Sequence, residues 1–309
     1  MVAAADHRLS HHTNARHPSL GLQCIPERHF WRDFRVTNER PEPGYSVSSF
    51  AIVPETCDAE GQPHLGAVAL VIDGGGASTA IGLVTPDWLA TSDLSHSAGA
   101  PFREGPIVIV ARAIRVGSNV AVVRAEVGDG HGSDDPTAMR RTGLSIMKFA
   151  RIPGSASVIT GQISTTSPKS TNALTGSGFR QPMFDQTGMR VVDHGIVELD
   201  RSDYVRNSFG SINGGALVVL AGRAALSLTD EGWVATDVQT HYLAQTKAGP
   251  ARATATWLRE GADAVVEVHV RDTSNNDTLL THNLVKLRPA HPPRRIGLRG
   301  RVGEEIAEF

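Results

Sequence analysis

The feature that most limits what this 309-residue chain can fold into is an internal repeat. Residues 61–93, GQPHLGAVALVIDGGGASTAIGLVTPDWLATSD, can be laid over residues 210–237, GSINGGALVVLAGRAALSLTDEGWVATD. His64 then meets Asn213 and Asp73 meets Gly222, both pairs 149 positions apart. After a five-residue shortening of the second segment, Asp93 meets Asp237, and Gly105-Pro106 meets Gly249-Pro250 without another gap. Self-similarity of this kind makes each copy one structural unit and divides the chain accordingly.

Past the Gly-Pro pairs, IVIVARAIRVGSNVAVVRAEV and ARATATWLREGADAVVEVHVRD alternate apolar and polar residues and are rich in β-branched side chains. That pattern predicts strands, joined by turns at Val116-Gly117-Ser118 and Glu260-Gly261-Ala262. One more strand closes each copy, ending at Ile152 and Leu287. Before these strands lies a single apolar segment per copy, residues 67–83 and 216–228. Length and Ala content predict a central helix there. The run Gly74-Gly75-Gly76 costs about 1 kcal/mol of helix propensity per Gly relative to Ala, so a strand is the alternative. The resulting organisation is an N-terminal extension (1–40) with a short helix at HFWRDF, a first unit (41–153), a Ser/Thr/Gly/Pro-rich linker (154–190), a second unit (191–290) and a C-terminal tail (291–309).

Composition narrows the function classes. A formal net charge of -2 and a pI near 6.7 come from mixed signs along the chain, which argues against a nucleic-acid partner. Cys24 and Cys57 are too few for a disulfide scaffold or a thiolate zinc site and fit a reducing cytoplasm. No run of about 18 apolar residues and no signal peptide is read, so no membrane association is expected. His7, His11, His12 and His17 lie in a polar stretch that reads as disordered, and no metal is expected there or in the active site.

A helix opening with a His-Gly-Gly signature, an Asn six positions before the His and an Asp nine after it resembles PaaI-like acyl-CoA thioesterases of the hotdog superfamily. The likeness covers residues 44–152 and 191–288. The first copy has Asp58 at the Asn position, His64, Leu65 and Gly66 at His-Gly-Gly, and Asp73 at the acid position. The second has Asn207, then Asn213, Gly214 and Gly215, and Gly222 in place of the acid. Each copy has lost a different half.

The resemblance implies an α+β double hotdog: two antiparallel sheets, each wrapping a central helix, paired side by side. It implies that each site combines the acid of one unit with the helix start of the other. One composite catalytic site would then join Asp73 to Asn207, Asn213 and Gly214. Thr91, eighteen residues after the acid, matches a family hydroxyl; its counterpart is Ala235, or Thr236 with a one-residue gap. The reciprocal site, with Asp58, His64 and Gly222, lacks a carboxylate and is expected to be dead. Gly215, His64 and Gly66 are expected to bind substrate.

Thioester hydrolysis requires an attacking oxygen and a donor for the developing oxyanion. Asp73 would act as general base on water, with direct attack as the alternative. The Gly214 N–H, at the positive end of its helix, would hold the oxyanion. Asn207 would orient the water or the helix start, and Thr91 the water. No cofactor is needed beyond the coenzyme A of the acyl-CoA substrate, and the chains are expected to pair as a dimer. The rival functions are a catalytically silent acyl-CoA binder and an actin-like kinase whose phosphate loop would be VIDGGGAST. The kinase predicts parallel strand–helix–strand units.

Overall fold

The computed structural model describes residues 28–153, 164–171, 178–230 and 232–290. The expected extension before residue 28, the tail after residue 290, and the residues Cys24, His7, His11, His12 and His17 lie outside them.

The two apolar segments are helices. The first is α2 (Leu65–Val84) and the second, after the short helices α1 (Phe30–Asp33) and α3 (Met183–Thr187), is α4 (Gly214–Leu226). The glycines at 74–76 therefore stand inside α2, in no phosphate loop, and the kinase reading falls with that. Packing explains them. A Cβ on Gly74 would strike the Trp31 ring, one on Gly75 would lie 2.9 Å from Ser48 Oγ, and one on Gly76 would strike Met147. Neighbours on three sides leave no room for side chains, and their burial offsets the propensity lost in a Gly-rich helix.

By length and composition α2 could cross a bilayer, contrary to the expectation that no such segment exists. In the fold it is a core helix: Ala67, Val68, Leu70, Val71 and Ile72 are all buried. A fully buried side chain of Val, Leu or Ile size contributes about 1.5–3 kcal/mol, so enclosure accounts for the apolar composition.

In the first half, β2 (Tyr45–Phe50), β4 (Ile107–Val116), β5 (Val120–Asp129), β6 (Arg140–Ile152) and β3 (Trp88–Ala98) are neighbours in that order. In the second half the order is β9 (Ile196–Leu199), β11 (Ala251–Arg259), β12 (Ala264–Asp272), β13 (Thr278–Pro289) and β10 (Trp233–Tyr242). In β12 every second residue is buried, as a strand with one face on a helix requires. A curved antiparallel sheet around one helix is the hotdog arrangement.

Two sheets were expected, and here the expectation needs correcting: one continuous 13-stranded antiparallel sheet is present. The two sets fuse because β3 and β10 pair edge to edge, with Asp93 opposite His241, Ser95 opposite Gln239 and Ser97 opposite Asp237. Fusion satisfies the backbone groups of both edges, which would otherwise be left open. The stretch 154–190, read as a linker, contains β7 (Ser167–Thr171) and α3. β7 pairs with β1 (Thr37–Glu42), which begins inside the expected extension, and caps that end of the sheet.

The helices cross closely through two glycines. A Cβ on Gly66 would lie 2.9 Å from Val219 Cα, and one on Gly215 would lie 2.8 Å from Leu70 Cα. Adding 149 to the α2 residue of each contact, Gly66 and Leu70, gives the α4 residues, Gly215 and Val219. Because backbone blocks each position, Gly215→Ala is expected to destabilise the protein by about 1–3 kcal/mol. Urea unfolding would show it as a lower midpoint with an unchanged slope.

Candidate active site

The loop before each helix is braced in the same way. Asn207 Oδ1 accepts from the N–H of Phe209 (3.0 Å) and Ser211 (3.1 Å), as Asp58 Oδ1 does from Glu60 (2.9 Å) and Gln62 (3.0 Å). Asn207 is thus placed as a brace for the helix start, and among the described residues no hydrogen bond joins it to Asp73. Burial pushes the Asp58 carboxyl up to about 6 despite those two donors.

Each helix then opens on a side-chain cap. Asn213 Oδ1 accepts from Gly215 N–H at 2.9 Å, and His64 Nδ1 accepts from Gly66 N–H at 3.1 Å. Gly215 and Gly66 therefore have capped N–H groups and press against the opposite helix, which makes them packing residues rather than the substrate-binding residues expected. Among the described residues no acceptor is assigned to Gly214 N–H. A donor at the first turn of a helix, left free, carries the partial positive charge of the helix end.

Asp73 stands against that end. A Cβ on Gly214 would lie 3.5 Å from Asp73 Oδ2 and 3.1 Å from the Tyr242 ring. Thr91 Oγ1 donates to Asp73 Oδ1 at 2.6 Å, holding one carboxylate oxygen and leaving the other toward Gly214. Burial raises the Asp73 carboxyl to about 6, and the Thr91 hydrogen bond offsets part of that rise. The structure thus brings together Asp73, Thr91, Gly214 and, at the cap, Asn213.

Thr91 and its counterpart are settled by a shared bulge. The register shifts between Thr91 and Asp93 in one strand and between Ala235 and Asp237 in the other. The bulged Ser92 and Thr236 each donate to the following Asp at 2.9 Å. Ser92 matches Thr236, so Thr91 matches Ala235.

Tyr242 was missed in the sequence. Its hydroxyl donates to Gly214 O at 3.1 Å, and burial, with the Asp73 charge nearby, holds the phenol well above its ordinary range and neutral. The signal was present in the repeat: Tyr242 stands 144 positions after Ala98, as Asp237 stands after Asp93. Another aromatic pair, Trp88 and Phe209, meets edge to face at 6.2 Å, β3 against the Asn207 loop.

The reciprocal position is different. His64 is buried, with Phe184 edge-on at 4.8 Å. Among the described residues its Nε2 has no hydrogen-bond partner, and burial followed by the Arg223 charge lowers its pKa to about 4. A Cβ on Gly222 would come within 3.6 Å of the His64 ring, so a side chain at 222 would reach this histidine and none does. A cavity of about 340 Å³ opens on this half, away from Asp73, lined by Leu65, Ala98, Phe102, Ala235 and the Glu60–Arg288 pair among others. It exists where Ala98 replaces the bulk that Tyr242 supplies beside Asp73.

No protein-family model and no curated protein matches the sequence. Solved structures do. A putative oleoyl thioesterase from Lactobacillus plantarum superposes with a TM-score of 0.55 at 13% identity, over 81% of this chain and 97% of that one. A putative thioesterase II from Thermobifida fusca gives 0.54 at 15% identity, over 86% and 99%. The 12:0-ACP thioesterase of Umbellularia californica gives 0.54 at 9% identity, over 79% and 94%. The chain shares the fold of these thioesterases. At such identities the likeness establishes architecture, and the chemistry has to be argued from the residues.

Proposed function

We propose that this chain is an acyl thioester hydrolase, a tandem double hotdog of the PaaI-like kind acting on acyl-CoA at one composite site. The observation that carries the reading is the approach of Asp73, on the first long helix, to the start of the second at Gly214, whose N–H has no acceptor among the described residues. The repeated strand order and the exchanged glycine contacts support treating the halves as two copies of one unit.

The chemistry follows from the positions. Asp73 takes a proton from water as the water oxygen attacks the thioester carbonyl. Thr91 fixes the carboxylate so that its free oxygen faces the reacting space. The carbonyl oxygen, becoming negative, receives the Gly214 N–H, a donor worth about 3 kcal/mol in comparable sites. The C–S bond then breaks, the leaving thiolate takes up the proton that Asp73 removed from water, and the Asp73 carboxylate is regenerated. Asn213 cannot carry that proton and serves as the cap that keeps Gly214 in place. A base with a pKa near 6 is ionised at neutral pH yet close enough to it for efficient transfer. Tyr242 gives the site an aromatic wall beside Gly214 and Asp73.

No cofactor is required beyond the carrier thiol of the substrate, and neither nucleic acid nor a membrane takes part. We place the protein in the cytoplasm as a dimer of chains. The experiment is to incubate purified protein with acyl-CoAs and acyl-carrier-protein thioesters of graded chain length and follow free thiol. Release above the uncatalysed rate supports the hydrolase, and preference between carriers identifies the substrate. Binding without release across the panel would establish the second reading, a silent binder, which the cavity on the acid-free side favours.

A further inference from the structure

The outer face of the sheet carries a row of polar side chains that the proposed hydrolysis does not use. His269 on β12 is directly opposite His282 on β13, His282 is opposite His241 on β10, and His241 is opposite Asp93 on β3. Strand alternation turns this row outward, since the flanking Val268, Val270, Thr281, Asn283 and Thr240 are buried against the helices. Glu267, two residues before His269, shares its face. The His269 and His282 rings stack at 4.9 Å. Both aim Nε2 at one carboxylate oxygen: Glu267 Oε1 lies 2.8 Å from His282 Nε2 and 3.8 Å from His269 Nε2.

The geometry points to a binding site for a divalent transition-metal ion of borderline softness, such as zinc, cobalt(II) or nickel, held by His269, His282 and Glu267. Two imidazoles and a carboxylate are the donor set such ions prefer. Their ligand atoms already lie within 4.8 Å of one another. Two donors each about 2.1 Å from a single ion can be at most about 4.2 Å apart, so a small rotation closes the set. The side chains are free to make it: Glu267, His269 and His282 are 31%, 39% and 36% exposed. Solvent completes the coordination on the open side. His241 is excluded, because its Nδ1 is engaged with Asp93 at 2.6 Å and its ring lies 6.4 Å from that of His282. The ion would clip β12 to β13 on the face opposite the helix.

The test uses the full-length, untagged chain, stripped with chelator and titrated with zinc by calorimetry and with cobalt(II) by visible absorption. His7, His11, His12 and His17 are a separate source of imidazole, so all four are replaced by Ser in the reference protein. The reference is expected to bind one equivalent and to melt at a higher temperature with zinc than without. His282→Ala and Glu267→Gln, checked for folding by circular dichroism, are expected to weaken binding by about 100-fold or more and to abolish the melting shift, since loss of outer-shell partners alone costs 10–100-fold. His241→Ala is expected to bind as the reference does. Absence of binding in the reference, or equal affinity in folded His282→Ala, overturns the assignment.

Discussion

Asp73→Asn is expected to lower acyl-thioester turnover by about 10²- to 10⁴-fold, the usual share of a general base, and at pH 8 to make the protein more stable. The carboxyl is raised from 3.8 to about 6 by burial, so the folded state holds its proton more tightly than the unfolded state does. The stability this contributes is fully present below pH 3.8 and is lost as pH rises through about 6. Asn stays neutral and accepts the Thr91 hydrogen bond, and so it escapes the loss. The gain is about 1–3 kcal/mol at pH 8 and shrinks toward zero near pH 4, its upper end reduced by the residual solvent access of the side chain. Free-thiol assays and urea midpoints at the two pH values measure both effects. In the native protein, turnover is expected to climb with pH through the same region. Undiminished turnover in the Asn variant would remove Asp73 from the chemistry.

Gly214→Leu is expected to abolish turnover to the level of Asp73→Asn while the fold survives. The Cβ would stand 3.1 Å from the Tyr242 ring, which has to give by a few tenths of an ångström, and 3.5 Å from Asp73 Oδ2. The remaining atoms of Leu would fill the gap between the helix end and the carboxylate, where a carbonyl oxygen has to sit. Leu65 occupies the counterpart at the start of α2, where Ala98 stands in place of Tyr242, so folding of the variant is checked by circular dichroism beside the assay. The double variant should be no worse than either single one, since both remove the same event. An active Gly214→Leu protein with normal Km would place the oxyanion elsewhere.

The pseudo-symmetric arrangement also fits the proposal of one equipped site in a chain of two halves. Asp73 is matched by Gly222, Thr91 by Ala235, Gly214 by Leu65 and Tyr242 by Ala98. The acid, its hydroxyl partner and the unobstructed helix start all fall on one side. The other side keeps a histidine whose Nε2 has no partner among the described residues, and an open cavity.

By itself the sequence determined the internal likeness, the two apolar helices and the period-two strands, and it nominated Asp73, Thr91, Asn207, Asn213 and Gly214 as candidate catalytic residues. These are one-dimensional patterns: a periodicity, a spacing, or a residue present in one copy and missing from the other. Only the tertiary structure decided that the sheets join through β3 and β10, that β7 within the Ser/Thr-rich stretch caps β1, and that Tyr242 stands beside Gly214 and Asp73. It likewise turned Asn207 into a loop brace and Gly66 and Gly215 into the helix crossing. Each of these depends on which groups approach across long separations in the chain. Edge pairing and backbone-to-backbone packing select their partners by shape and unsatisfied hydrogen bonds, and neither leaves a local mark in the order of residues.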